Sequence, residues 1–338
     1  MAETHVGFPG RRPAPDWAAA LPRRWLRTAG PLAALLVLAV LFQAWSGSFL
    51  TPGNLASIVE AAAVPAILAT GLTFVILLGS IDLSVEGVMA TASMTVSLLA
   101  ANAVNANDFG LAGLAAALAV GLAFGLCNGL LNAVLKMPSL IVTLGTWFIG
   151  LGVAAVLFPA RVPQIREPLV LDLARIHLLG LSLTVYAALA TVALAQGVLH
   201  FTTFGRMCYA IGGDEAVLVA SGLSVRRFRV GAFALSGTLA AFAGLLLSAQ
   251  LGNGDANIGD GLLFPAISAA VLGGTTLMGG RGGAAQSALG ALLLEALNNG
   301  LIQVGAGPYT RNIISGAVIV TAVALTGWRL RARLRVVK

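Results

Sequence analysis

Short polar breaks divide the chain into ten apolar runs, each close to the roughly 20 residues that a helix needs to cross the hydrocarbon core of a membrane. The runs lie at 31–46, 55–78, 83–103, 111–135, 139–158, 179–199, 228–250, 262–280, 284–304 and 308–327. A soluble domain carries charge on about a quarter of its residues. Here 10% of the 338 residues are charged and 58% are hydrophobic. The expected fold is an all-α polytopic membrane protein with about ten transmembrane helices. Its transmembrane domain at 31–327 lies between basic tails at 1–30 and 328–338. The first run is short and follows Arg23, Arg24 and Arg27, as the core of a secretory signal would. No small-residue cleavage site follows it, so it is read as the first span.

Charge orients the bundle, because loops rich in Lys and Arg are retained on the cytoplasmic side. With ten spans and both termini inside, 16 of the 20 Lys and Arg fall on the cytoplasmic side. The exceptions are Arg161, Arg166, Arg175 and Arg311. A net charge of +7 would suggest nucleic acid in a soluble protein. These cations sit at the membrane boundary, where anionic lipid headgroups account for them, and no nucleic-acid partner is expected.

Several chemistries have no support in the residues. A phosphate-binding loop needs a lysine directly after glycine, whereas Lys136 follows Leu135 and Lys338 follows Val337. The glycine clusters at 271–283 and 209–214 read as tight turns and close helix packing. His5, His177 and His200 are scattered, Cys127 and Cys208 lie at different depths, and neither a metal site nor a disulfide is expected. The GxSxG hydrolase elbow does not occur. The chain is expected to have no enzyme activity and no cofactor of its own. What remains is transport.

The longest polar stretch is the basic island at 201–229, containing Arg206, Arg226, Arg227 and Arg229. Within it, GGDEAVLVASGL (212–223) predicts a short helix. Gly212 and Gly213 permit a sharp bend into it, and Asp214 caps free backbone amides. Glu215 suits the positive end of the helix dipole, and Gly222 terminates the helix. Ala216, Leu218, Val219, Ala220 and the flanking Ser221 make a small, apolar surface that needs a cover. The cover is either a soluble partner or the bilayer edge, with Arg206, Arg226 and Arg227 toward headgroups.

Acidic groups inside spans each cost roughly 2.5–3.5 kcal/mol, so Glu60, Asp82, Glu86 and Glu295 require explanation. Asp82 and Glu86 straddle the break in GSIDLSVEG (79–87), where Asp82 and Ser84 are placed to cap the helix that follows. Glu60 and Glu295 lie farther in, facing a wet cavity or a polar neighbour. A hydrogen-bonding solute path would draw on Thr73, Phe74, Asp82, Asn128, Asn132, Thr143, Thr146, Trp147, Asn298 and Asn299. Interhelical hydrogen bonding is the simpler role for any one of them. Small residues four apart in 113–125 and 282–300 report closely packed helices.

Four blocks resemble the ribose and xylose type of ABC permease. They are GLTFVILLGSIDLSVEG (71–87), NGLLNAVLKMPSLIVTLGT (128–146), FGRMCYAIGGDEAVLVASGLSV (204–225) and VLGGTTLMGGRGG (271–283). They occur in the family's order, with weaker similarity from about Phe49 to Trp328. The resemblance implies a multi-pass subunit of the bacterial inner membrane that pairs with a second copy of itself. It also implies a periplasmic sugar-binding protein that delivers a monosaccharide, and a separate cytoplasmic ATPase that binds ATP and Mg. The island at about 201–229 would then be the coupling loop on which the ATPase docks. The chain departs from the pattern at Ser80 and Glu86, where glycine is usual, at Gly150, where arginine is common, and at Asp214, usually asparagine. At Leu263 to Pro265 an acidic residue is frequent. These departures leave the particular sugar open. Two other readings stand beside this one: a related permease for branched amino acids or nucleosides, and a proton-coupled carrier using Asp82, Glu60 or Glu295.

Overall fold

The computed structural model describes residues 17–328, so the tail residues at 1–16 and 329–338, with Arg11, Arg12 and Arg329, lie outside the described residues. Each of the ten apolar runs carries a helix. In chain order the helices include α1 (Trp17–Ser46), α2 (Pro52–Leu77), α3 (Val85–Leu99), α4 (Leu111–Ala133) and α5 (Ser139–Leu157). A short α6 (Pro168–Arg175) and the hairpin β1 (His177–Leu178) with β2 (Leu181–Ser182) lead into α7 (Leu183–Phe201) and α8 (Thr203–Ala220). The rest are α9 (Arg226–Leu251), α10 (Leu263–Leu272), α11 (Ala284–Gln303) and α12 (Pro308–Trp328). Helix α1 begins well before residue 31, because AAALPRRWLR is rich in helix formers whether or not lipid surrounds it.

Among the described residues five helices, α2, α4, α5, α7 and α9, are long and apolar enough to cross a membrane by length and composition. Two others correct the expected spans. The run at 83–103 yields the 15-residue α3, and the run at 262–280 yields the 10-residue α10. At 1.5 Å per residue these reach only about 22 and 15 Å. The bundle therefore has two ends, an α8 face and a hairpin face, between which α3 and α10 are half-helices.

Every residue of α2 from Ala62 to Leu77 is buried, the mark of a central helix that is apolar all round. Helix α4 instead buries a stripe spaced by four, Gly113, Ala117, Gly121, Gly125 and Gly129, together with Asn128, Asn132 and Ala133 at its end. That stripe lies on α9: a β-carbon at Gly129 would sit 2.6 Å from Val230 Cα. The same applies between α5 and α3, where a β-carbon at Gly150 would sit 2.6 Å from the Gly87 carbonyl carbon. Small residues at these spacings let backbones touch, as the sequence implies.

The half-helices begin deep in the bundle. After α2, residues 78–84 turn back inward, and Asp82 reaches Ser236, ten residues or about 15 Å along α9 from its start. Helix α3 starts there and climbs to the hairpin face. On the other side, residues 254–262 descend along α3. Gly254 lies against Ser97, the Asp255 amide donates to Ser93 Oγ at 3.0 Å, and Gly259 lies against Glu86. Helix α10 then starts at Leu263, whose amide donates to Glu86 Oε1 at 2.9 Å. The two half-helices thus meet with their N-termini inside the bundle and run toward opposite faces.

Candidate functional site

Helix α8 lies at the end of the bundle, packed against the last turns of α2 and α7 and the start of α9. It starts at Thr202, whose hydroxyl accepts from the Gly205 amide at 3.2 Å. Its first part is anchored by Gly205, Cys208 and Ile211, all buried. Burial pushes the Cys208 thiol up to about 12. At Asp214 the backbone is extended (φ −163°, ψ 95°) and the helix kinks. Asp214 Oδ1 accepts from the Val217 amide at 3.2 Å, so it caps a second short helix as expected. That arm ends where Gly222 takes φ +76°. The Gly222 amide donates to Val219 O at 3.0 Å and the Leu223 amide to Leu218 O at 3.1 Å, which closes the last turn.

One part of the expectation fails. Gly212 and Gly213 lie inside α8, before the kink, and do not bend the chain into the arm. Gly212 is glycine because its backbone is pressed against the Leu77 carbonyl and the Gly280 amide, which are themselves hydrogen-bonded at 2.9 Å. Gly213 has open space around it. Beyond the kink Val217, Val219 and Leu223 are 58%, 55% and 45% exposed, an apolar surface without cover among the described residues. Arg206 stands exposed, with Nη2 donating to Thr203 Oγ1 at 3.1 Å.

Arg229, on the first turn of α9, joins this arm to the bundle. Its Nη2 pairs with Glu215 Oε2. Its Nη1 donates to Asn132 Oδ1 at 3.1 Å, at the end of α4, and to Ser80 Oγ at 3.4 Å, in the segment between α2 and α3.

Deeper in, that segment is the centre of a buried polar network. Asp82 Oδ1 accepts from the Ser84 amide at 3.0 Å and the Ser84 hydroxyl at 2.6 Å, and Oδ2 accepts from Ser236 on α9 at 2.7 Å. Asn128 Nδ2 on α4 donates to Ser84 Oγ at 2.9 Å, and Thr146 on α5 donates to Asn128 Oδ1 at 2.7 Å. Ile81 is held at both ends, its amide by Ser139 Oγ at 3.2 Å and its carbonyl by the Thr143 hydroxyl at 3.4 Å. Asp82, Asn128 and Thr143 are fully enclosed, and Ser84, Ser236 and Thr146 nearly so.

The residues expected along a solute path therefore fall in separate places. Asp82, Asn128, Thr143 and Thr146 come together, but as joints between helices. Asn132 lies at the α8 face on Arg229, with Nδ2 donating to Met137 O at 2.8 Å. Thr73 is paired with Ser287 at 2.6 Å, and Phe74 is packed against Phe204 with ring centres 6.1 Å apart. Trp147 is half-buried, stacked on Phe148 at 5.6 Å, and its indole N–H has no hydrogen-bond partner among the described residues. Asn298 and Asn299 lie near the hairpin end of α11, accepting from Arg311 at 3.0 Å and Gln303 at 3.2 Å.

The acidic residues divide similarly. Glu60 accepts from the Ser182 amide at 3.1 Å and lies 3.6 Å from His177, so it secures the hairpin. Glu86 holds the start of α10, and Glu295 bonds to Asn298. Asp82 holds Ser84, and no side chain directly caps α3. Sequence reasoning passed over Arg229, Ser139 and Ser236. Glu215 and Arg229 lie on different helices, so their spacing carries no local signal, and serines in apolar runs carry no pattern. Among the described residues no three His, Cys, Asp or Glu side chains gather as metal ligands would.

The family model for the permease component of branched-chain amino acid transport systems matches residues 54–323. The chain belongs to this ABC permease family. Among its relatives, the ribose import permease RbsC of Bacillus subtilis is 35% identical over 298 residues, covering 88% of this chain and 91% of that protein. The probable ABC transporter permease YphD of Escherichia coli is 36% identical over 304 residues, covering 89% of each. The L-arabinose permease AraH of Escherichia coli is 32% identical over 302 residues, covering 88% and 91%. No solved structure matches the chain. The permease is a multi-pass protein of the inner membrane and a transport subunit rather than an enzyme.

Proposed function

We propose that this permease is the membrane-spanning subunit of an ABC importer for a monosaccharide. A periplasmic binding protein delivers the sugar at the hairpin face. A separate ATPase, which binds ATP and Mg, docks at the α8 face, and a second copy of the permease completes the path. The observation that carries the reading is the kinked α8. Its first half is anchored in the bundle, and its second half presents Val217, Val219 and Leu223 uncovered. A short helix of this kind, lying at the bundle end with Arg206 beside it, is suited to a groove on a soluble motor. On this reading Gly212, Asp214, Glu215, Ala216, Ser221 and Gly222 shape and hold the docking arm. The excess of Lys and Arg at this face supports placing it, with both termini, in the cytoplasm.

Ribose and arabinose are the solutes named for the relatives, which supports a sugar. The family description names branched-chain amino acids, so a leucine importer is the second reading. A proton-coupled carrier has less support, because Asp82 is engaged with donors inside the bundle and Glu60 with the hairpin.

The test is reconstitution in proteoliposomes with the neighbouring ATPase and binding protein. Uptake of labelled ribose, arabinose, xylose, galactose and leucine is measured with and without ATP. ATP- and binding-protein-dependent uptake of one sugar is expected, lost in Glu215→Arg and Gly222→Trp permeases that still insert. Uptake by the permease alone under a proton gradient would sink the importer reading, and leucine uptake would move it to the second.

A further inference from the structure

Arg229 occupies the point where the docking arm, the end of α4 and the segment between α2 and α3 converge. Its side chain is 17% exposed while that of Glu215 is 40% exposed, so the pair runs from the surface inward. The anchored half of α8 cannot swing, because Gly212 is wedged against the Leu77 carbonyl and the Gly280 amide. The arm beyond Asp214 is free of that wedge, and among the described residues it is tied to the bundle by the partly buried Leu218 and by Glu215 on Arg229. On its inner side the same guanidinium donates to Ser80 and Asn132. Ser80 is two residues from Asp82, the acceptor of the buried joint among α9, α4 and α5. The planar, multiply donating guanidinium suits this task, whereas an ammonium is a point charge on a flexible stem.

We propose that Arg229 is the positioning residue through which movement of the arm about Asp214 is passed to the 78–84 segment, and so to the half-helix α3. This rests on the reading that the arm docks the ATPase. Pulling Glu215 away from the bundle withdraws the guanidinium from Ser80 and Asn132 and loosens the mouth of the segment. Pressing it inward restores both.

The experiment uses the reconstituted complex and three readouts: co-purification of the ATPase, its hydrolysis rate, and sugar molecules taken up per ATP. The sugar is the one from the panel that the wild-type complex imports. Arg229→Gln is expected to retain the ATPase and at least half of its hydrolysis, while uptake per ATP falls at least ten-fold. Ser80→Ala with Asn132→Ala keeps the Glu215 pair intact and should uncouple in the same direction. That variant decides the matter if Arg229→Gln does not insert. Unchanged uptake per ATP in both variants would overturn the proposal. Loss of the ATPase from Arg229→Gln would also overturn it, by making Arg229 part of the dock. Failure of the wild-type permease to bind the ATPase would instead remove the underlying reading.

Discussion

Replacement of Asp82 separates a structural joint from a site that depends on charge. The side chain accepts three hydrogen bonds, from the Ser84 amide at 3.0 Å, the Ser84 hydroxyl at 2.6 Å and the Ser236 hydroxyl at 2.7 Å. In Asp82→Ala the two hydroxyls can rotate toward other acceptors, but the Ser84 amide cannot. A stranded buried N–H costs about 1–3 kcal/mol. Two weakened side-chain bonds in a membrane bundle add about 0.6 kcal/mol each. The expected loss is about 2–4 kcal/mol. Asp82→Asn keeps Oδ1 for both Ser84 bonds, and its amide can donate to Ser236, whose hydroxyl turns to accept. Its expected loss is under about 1 kcal/mol. Thermal unfolding in detergent, followed with a thiol-reactive dye on Cys208 in a Cys127→Ser background, measures both. Cys208 is fully buried, with its thiol held protonated up to about 12, so labelling reports unfolding. Equal loss in Asn and Ala would refute the hydrogen-bond account. A stable Asp82→Asn permease that no longer transports would show that the carboxyl group itself is needed, favouring a proton-coupled carrier.

Gly129→Leu should lower stability by about 1–3 kcal/mol in the same assay, because α4 must move off Val230, while Gly145→Leu, with open space around it, should be neutral. Equal effects would show that the α4–α9 seam is not backbone-limited. Leu179, at the hairpin turn with φ +51° beside Gly180 at φ +83°, should gain about 1 kcal/mol on replacement by Asn, read as a raised unfolding midpoint. An unchanged or lower midpoint would count against strain there. Glu86→Leu should strand the Leu263 amide and cost about 1–3 kcal/mol, and Glu86→Gln, which keeps the acceptor, should cost less. The reverse order would show that the interaction is not the one described. The folded-state pKa of Cys208 is raised from 9.0 to about 12, so its contribution to stability is fully present below about pH 9 and is lost as pH rises toward 12. Intrinsic fluorescence melts of wild type and Cys208→Ala should therefore converge above pH 9, and parallel curves would contradict the burial of the thiol.

What the sequence made legible follows from how local each cause is. The apolar runs at 111–135 and 139–158 became α4 and α5 almost to the residue, because lipid exposure demands apolar side chains along a full span. Asp214 and Gly222 were legible because a cap and a left-handed turn depend on the residue in place and its immediate neighbours. Gly212 was misread because the demand on it comes from Leu77 and Gly280, far away in sequence. Arg229 was seen as one of four island cations, since its partners Ser80, Asn132 and Glu215 lie on three other segments. The broad set of polar residues mixed Asp82, Asn128, Thr143 and Thr146, which meet at depth, with Asn132, Asn298 and Asn299, which lie toward the two faces. It did not distinguish a hydroxyl facing a solute from one facing a carbonyl.

The half-helices explain that last failure. Residues 83–103 and 262–280 are apolar enough to read as complete spans, because a half-helix buried in the bundle needs apolar side chains as much as a spanning helix does. Extended backbone and a helix N-terminus at that depth, however, leave N–H groups that no lipid can satisfy. Acceptors have to come from side chains, and here they do: Asp82 takes the Ser84 amide, Ser139 takes the Ile81 amide, and Glu86 takes the Leu263 amide. Asp82 and Glu86 are therefore accounted for by the broken backbone itself, whereas Glu60 holds the hairpin. It follows that solute selectivity should be sought among polar groups this framework does not consume, and that altering Asp82 or Glu86 should disturb the shape of the path before it disturbs the choice of sugar.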